Sequence, residues 1–276
     1  MRGGDVAIDD LPAGRPGALA MRAIVARLEG PHVSERSTKL WPGRLSADRF
    51  LVTCQPQVLG RDPRGRFREV ALSLGCEAAA VGRLVAGWDR VITVHFGCDG
   101  IDPPLFKLYV EYELGSPAAG VPDDTIFLSA KWRPGGKVNF SLYRHLAFPT
   151  NGVEARVALR EQYAPDVGAL STAFTDRVLS ELITPRGRVD VMLVEDEETP
   201  RKSFDINLYR VETPLVRHKG ALKVLCEGFG MPEATRQILA DGEGTMLGHV
   251  ALGRDAAGTE FVTLYYAAEK LGHAAT

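Results

Sequence analysis

Four segments of the chain alternate apolar with polar residues and carry tyrosine on the polar side: FKLYVEYE around Lys107 and Tyr109, VNFSLYR, FDINLYR and FVTLYYAAE. Successive side chains of a strand point to opposite faces. One side of these segments therefore holds Leu108 and Val110, then Val138, Phe140 and Leu142, then Ile206 and Leu208, then Val262 and Leu264. The other side holds Lys107, Tyr109 and Glu111; Asn139, Ser141 and Tyr143; Asp205, Asn207 and Tyr209; and Thr263 and Tyr265. A sheet face with this composition has the groups of a site. Cations and hydroxyls grip anions through charge-assisted hydrogen bonds, and phenol rings attract a positive centre.

The elements that must position these groups can be read around them. Each tyrosine segment follows a second strand-like run: RVITVHF, TIFLSAKW, VDVMLVE and LGHVALG. The connections CDGIDPP, RPGG, DEETPRK and RDAAGTE have the Gly, Pro and acidic content of hairpin turns. RFLVTCQP, from Arg49, adds a further strand. Between hairpins the period changes to that of a helix. Val167, Leu170, Phe174, Val178 and Leu182 predict one amphipathic helix from Asp166 to Leu182. Phe67, Val70, Ala71 and Leu74 predict a second helix, Ala221, Leu222 and Leu225 a third, and Gly17 to Leu28 an N-terminal one, with stops at Gly75, Gly87 and Gly228. Hairpins imply antiparallel pairing, and the apolar face of such a sheet packs on helices. The expected fold is α/β (α+β): a single closed antiparallel β-barrel of repeated hairpins with a polar lumen, surrounded by α-helices.

The chain has 276 residues, 45% of them hydrophobic and 25% charged, with a formal net charge of -2. That balance gives no general attraction for nucleic acid or an anionic membrane. Cys54, Cys76, Cys98 and Cys226 lack the spacing of a zinc site or a disulfide framework. MRGGDVAIDDLPAG lacks a signal's apolar core, and no apolar run approaches the ~20 residues that span a bilayer. The expectation is a cytoplasmic, monomeric protein with one domain over residues 1–276, of which residues 1–14 form a flexible tail. Other chemistries lack their motifs. There is no DDxxD run, Asp123 and Asp124 stand alone, and the six histidines show no HExxH spacing. GEGTMLG precedes a strand, which is the wrong context for a phosphate loop, and Glu195 to Glu198 read as a solvated turn. No residue set points to a protein-held metal.

The run ERSTKLWPGRLSADRFLV, together with the hairpin and helix rhythm from FKLYVEYE to FVTLYYAAE, resembles the αββα-repeat (ABBA) prenyltransferases, and among them the cyanobactin-type peptide prenyltransferases. The resemblance implies an enzyme that transfers a prenyl group from an allylic diphosphate, dimethylallyl diphosphate first, to a side chain of a ribosomally made, cyclic peptide. Mg2+ is implied as the companion of the diphosphate. Glu35 matches the family's glutamate that orients or deprotonates the acceptor. Arg49 and Lys107, with Lys131 as a third candidate, would hold the diphosphate, aided by Asn139, Asn207 and Thr263. Tyr109, Tyr143, Tyr209 and Tyr265 would shield the prenyl cation. Two other readings stay open: an ABBA enzyme acting on a small aromatic molecule, and a non-catalytic ligand-binding barrel. For Glu35 alone the plain alternative is a surface carboxylate beside Lys39.

Overall fold

The computed structural model describes residues 16–100, 103–118, 120–146, 152–182 and 189–271; the expected tail at residues 1–14 lies outside them. The chain divides into two compact units. The first comprises Met1–Glu35, Asp48–Arg144 and Glu269–Thr276, and the second Arg36–Ala47 and His145–Ala268. In chain order the elements begin with α1 (Pro16–Val25), β1 (His32–Trp41), β2 (Arg44–Ser46), β3 (Arg49–Cys54), α2 (Pro63–Ser73), α3 (Ala78–Leu84), β4 (Val91–Asp99), β5 (Leu105–Tyr112), β6 (Thr125–Trp132) and β7 (Asn139–His145). They continue with α4 (Gly152–Gln162), α5 (Ala164–Val167), α6 (Ala169–Glu181), β8 (Asp190–Asp196), β9 (Lys202–Asn207), α7 (Lys219–Gly228), α8 (Ala234–Asp241), β10 (Leu247–Arg254) and β11 (Glu260–Leu271). The strand order is β11-β10-β9-β8-β7-β6-β5-β4-β3-β1-β2, and β11 pairs also with β1.

In the first unit β3 to β7 form successive antiparallel pairs. Burial along β5 follows the two-residue period of its sequence: Phe106, Leu108, Val110 and Tyr112 are buried, and the residues between them are half-buried. The buried side joins Phe67, Val70 and Ala71 of α2 and Val81 and Leu84 of α3 in one apolar core with Val94, Phe96 and Trp132. Phe67 lies 5.7 Å from Phe96 and 5.2 Å from Trp88, centroid to centroid. The Trp132 indole donates to the Leu74 carbonyl at 3.0 Å, so β6 pins the end of α2. That helix starts where expected of its residues: Asp62 accepts from the Gly65 amide at 2.9 Å, and Pro63 fills the first turn. It stops before Gly75, whose φ of +77 suits the left-handed end of a helix.

In the second unit β8, β9, β10 and β11 pair antiparallel in sequence order. Phe174, Val178 and Leu179 of α6 and Leu222 and Leu225 of α7 share a core with Phe204, Ile206, Val250, Val262 and Leu264. The helix expected from Asp166 to Leu182 is broken at Gly168, where φ is +105. Gly168 has no side chain to cap the helix that follows, and Glu260 of β11 does so, its carboxylate accepting from the Ser171 amide at 2.5 Å. A methyl group on Gly168 would collide with that carboxylate.

One local reading is corrected, and some elements were not foreseen. The segment holding Glu35, given no element in the sequence reading, is itself a strand, β1, so RFLVTC is the third strand in chain order. FDINLYR does not stay extended to its tyrosine: β9 ends at Asn207, and Tyr209–Val211 form a 3-10 turn. The cause is local, because the Asn207 side-chain oxygen accepts from the Tyr209 amide at 3.0 Å and bends the chain. The 234–241 helix, α8, was not foreseen.

Candidate anion site on the tyrosine face

The polar face of β3 to β7 is set out in rows by the register. Arg49 lies opposite Asp99. The next row is Leu51, Gly97, Lys107, Lys131 and Asn139, followed by Thr53, His95, Tyr109, Ser129 and Ser141, and then Thr93, Glu111, Phe127 and Tyr143. Of the sequence-predicted residues, Arg49, Lys107, Lys131, Asn139, Tyr109 and Tyr143 therefore share one face of one unit. That face is sheltered: Ser129 and Ser141 are fully buried, and the side chains of Arg49 and Lys107 are only 7% and 11% exposed.

Three cations occupy this face. Arg49 donates to one oxygen of Asp99 at 2.5 Å, and the Lys107 ammonium donates to the other at 2.7 Å. Lys107 reaches Asp99 diagonally, past Gly97. A Cβ at Gly97 would stand 3.3 Å from both the Lys107 Cβ and the Leu51 side chain, so the missing side chain leaves Lys107 its path. Lys131 sits directly opposite Lys107, donates to the Ser141 hydroxyl at 2.9 Å, and lies 5.9 Å from the Tyr143 ring centre. Like charges directly opposed on one sheet face are destabilising. The bond to Asp99 offsets that cost at Lys107, and a bound polyanion would offset it at both lysines.

The rings flank these cations. Tyr109 and Tyr143 meet edge to face with centroids 5.8 Å apart, and Phe127 stands 5.7 Å from Tyr143. Burial is the main reason that the Tyr109 phenol titrates well above the usual tyrosine range, and its neighbour Tyr143 pushes it further. The ring thus stays neutral at any physiological pH. A neutral phenol face can attract a carbocation while its oxygen remains a poor nucleophile.

The remaining predicted residues are on other elements. Glu35 is on β1 and only 5% exposed, which removes the surface reading of it. Lys39, the partner weighed for it, has its ammonium 3.7 Å above the Phe261 ring. Asn207, Thr263, Tyr209 and Tyr265 belong to the second unit. There Asn207, His249 and Tyr265 share a row, Thr263 is buried opposite Ala251, and Tyr209, on its turn, is 38% exposed. Tyr209 and Tyr265 both set their edges against His249, at 5.1 and 5.8 Å.

Several polar groups on these faces escaped the sequence reading. Asp99 is one. Thr53 and His95 are two more: His95 is bonded to the Thr53 hydroxyl at 2.8 Å and, at 3.3 Å, to the carboxylate of Glu111, which the sequence had already placed on this face. In the second unit His249 hydrogen-bonds Asp205 at 2.6 Å. Strand parity carries the missing signal: His95, Gly97 and Asp99 alternate along HFGCD on the same side, so carrying that strand's alternation on to Asp99 would have found them. Among the described residues no group of three or more His, Cys, Asp or Glu could hold a metal ion. The two oxygens of Asp99 are engaged by Arg49 and Lys107. A Mg2+ ion at this face would depend on the oxygens of a bound diphosphate.

No protein-family model matches the chain, and no curated protein matches it. Solved structures do. The chain is similar to 5-dimethylallyltryptophan synthase from Streptomyces coelicolor, with a TM-score of 0.58 and 14% identity over 85% of this chain and 80% of that one. It is similar to PriB in a binary complex with product diphosphate, with a TM-score of 0.56 and 14% identity over 84% of this chain and 78% of that one. AnaPT from Neosartorya fischeri matches with a TM-score of 0.51 and 12% identity over 85% of this chain and 77% of that one. At these identities the likeness is one of fold, and the fold is the closed antiparallel barrel with surrounding helices of the ABBA prenyltransferases.

Proposed function

We propose that the protein is a prenyltransferase whose donor site is the face carrying Arg49, Lys107, Lys131, Tyr109 and Tyr143. The observation that carries this reading is the sheltered, directly opposed pair Lys107 and Lys131, with Arg49 one row away and two phenols in the rows behind. The donor is an allylic diphosphate, dimethylallyl diphosphate first. Its C–O bond breaks, the electron pair leaves with pyrophosphate, and the three cations stabilise the charge that develops there. Asn139, beside Lys131 on the same face, adds an amide toward the phosphates. Tyr109 and Tyr143 shield the allyl cation. Each such ring is worth ~0.5 to 2 kcal/mol, so the pair matters more than either member.

Glu35, buried on β1, is assigned to the acceptor, whose proton it takes as the new bond forms. Thr263, Asn207, Tyr209 and Tyr265 remain candidates from the resemblance alone, Thr263 and Asn207 for phosphate and the two tyrosines for the cation. Mg2+, held by the phosphate oxygens, would neutralise leaving-group charge.

The acceptor is assigned as a peptide side chain, on the likeness of the ERSTKLWPGRLSADRFLV segment. A second reading, a free aromatic amino acid, is favoured by names among the similar structures, several of which are of dimethylallyltryptophan synthases or of complexes with tryptophan. Incubation with dimethylallyl diphosphate and MgCl2, with L-tryptophan in one arm and tryptophan- and tyrosine-containing linear and cyclic peptides in the other, separates them by mass. Prenylated peptide supports the first reading and prenylated free tryptophan the second. Release of no pyrophosphate in either arm counts against a transferase.

A further inference from the structure

The Asp99 carboxylate spans the two cations that the proposed donor site needs. Each of its oxygens takes one: Arg49 at 2.5 Å and Lys107 at 2.7 Å, with the three side chains 7 to 11% exposed. The geometry is that of a bound anion whose two oxygens each meet one cation. This inference rests on the donor-site reading.

We infer that Asp99 is an internal counterion that occupies the diphosphate position in the donor-free protein and is displaced from Arg49 and Lys107 when a diphosphate binds. Its physical role is twofold. Without that carboxylate Arg49 and Lys107 would lose the anion that they share, and taking one member out of a buried ion pair is strongly destabilising. Asp99 holds two of them in place until the donor arrives. It also makes entry selective. An incoming anion must satisfy both cations at once, which pyrophosphate does with oxygens on two phosphorus centres and a smaller, less charged anion does poorly. The apparent affinity of any anion is reduced by the fraction of molecules in which Asp99 still holds the cations.

The test is calorimetric titration with inorganic pyrophosphate and with orthophosphate, in EDTA and in MgCl2, of the wild type and of Asp99→Asn. The amide keeps the shape and loses the charge. The inference predicts that D99N binds pyrophosphate about tenfold more tightly than the wild type in EDTA, because the competing carboxylate is gone. Orthophosphate, which binds the wild type weakly, should gain at least as much. Asp99→Glu, with the charge kept, should retain the wild-type preference for pyrophosphate. If D99N melts below the working temperature, Asp99→Ser is titrated in its place with the same expectation. Unchanged or weaker pyrophosphate binding by the neutral variant in EDTA overturns the inference. Weakening confined to MgCl2 overturns it too and makes Asp99 a metal ligand. Failure of the wild type and the variant alike to bind pyrophosphate overturns the donor site itself. That result differs from a wild type that binds and a variant that binds no better.

Discussion

Lys107 and Lys131 stand directly across from one another on the paired strands β5 and β6, on the same sheltered face. Opposed like charges cost about 0.2 to 1 kcal/mol, a cost that folding could have avoided with any neutral residue. Lys131→Met should therefore raise the melting temperature of the ligand-free protein slightly, by the equivalent of about 0.5 kcal/mol. The same change should weaken donor binding about tenfold or more, since a charge-assisted bond to phosphate is lost. Thermal melts with and without dimethylallyl thiolodiphosphate check both signs at once.

In the proposed donor site Tyr109 and Tyr143 share the shielding of the cation. Tyr109→Phe keeps the ring and should retain turnover within about threefold. Tyr109→Leu removes the ring and should lower turnover about three- to thirtyfold. Product analysis adds a sharper reading. With less shielding, water captures more of the cation, so the ratio of dimethylallyl alcohol to prenylated acceptor should rise in Tyr109→Leu and stay near wild type in Tyr109→Phe.

Much of this arrangement was legible in the residues because a strand enforces its own period. Lys107, Tyr109, Asn139 and Tyr143 alternate with apolar residues whichever strands lie beside them, so a face could be assigned before any pairing was known. Tyr209 broke the rule for a reason that the same segment contains: Asn207 turns the chain two residues early through its own side chain. Asp99 was missed for the opposite reason. It stands beside a turn in CDGIDPP and reads as turn chemistry; strand parity puts it on the polar face, and the register with Arg49 makes it a partner. The break at Gly168 depends on Glu260, 92 residues along the chain, and no local period encodes it.

Burial raises the pKa of three tyrosines, Tyr109, Tyr112 and Tyr266, and carries Tyr112 to about 12. In the unfolded chain all three would titrate near ~10. Above that pH the unfolded state releases protons that the folded state retains, so stability falls as pH rises from about 10 toward the folded values. Urea unfolding at a series of alkaline pH values should show a midpoint that begins to fall past about pH 8.5, where the four buried cysteines, whose pKa burial also raises, ionise in the unfolded chain, and that falls more steeply above about pH 10 as the tyrosines join them. Replacing Tyr112 by Phe should make the drop shallower.

His218 shows the reverse sign. Burial lowers its pKa below the usual 6.5 in spite of the hydrogen bond to Glu181, and its two ring nitrogens are bonded at 2.8 Å to Glu181 and to Thr213. The unfolded chain takes up a proton that the folded protein resists. This contribution to stability is present above about pH 6.5 and is lost as pH falls through the lower folded value. His218→Gln should cost about 1 to 3 kcal/mol at pH 7.5. In denaturant melts it should also remove part of the decline in stability as pH falls below about 6.5.

The central claim is that the face of β3 to β7 binds a diphosphate through Arg49, Lys107 and Lys131. Calorimetric titration of the wild type and of Lys107→Met with dimethylallyl thiolodiphosphate tests it most directly. The account predicts saturable binding by the wild type at one site and a loss of about a hundredfold in the folded variant, the effect of deleting one charged contact of about 3 kcal/mol. Equal affinity in the two proteins, or no binding by the wild type, would contradict it.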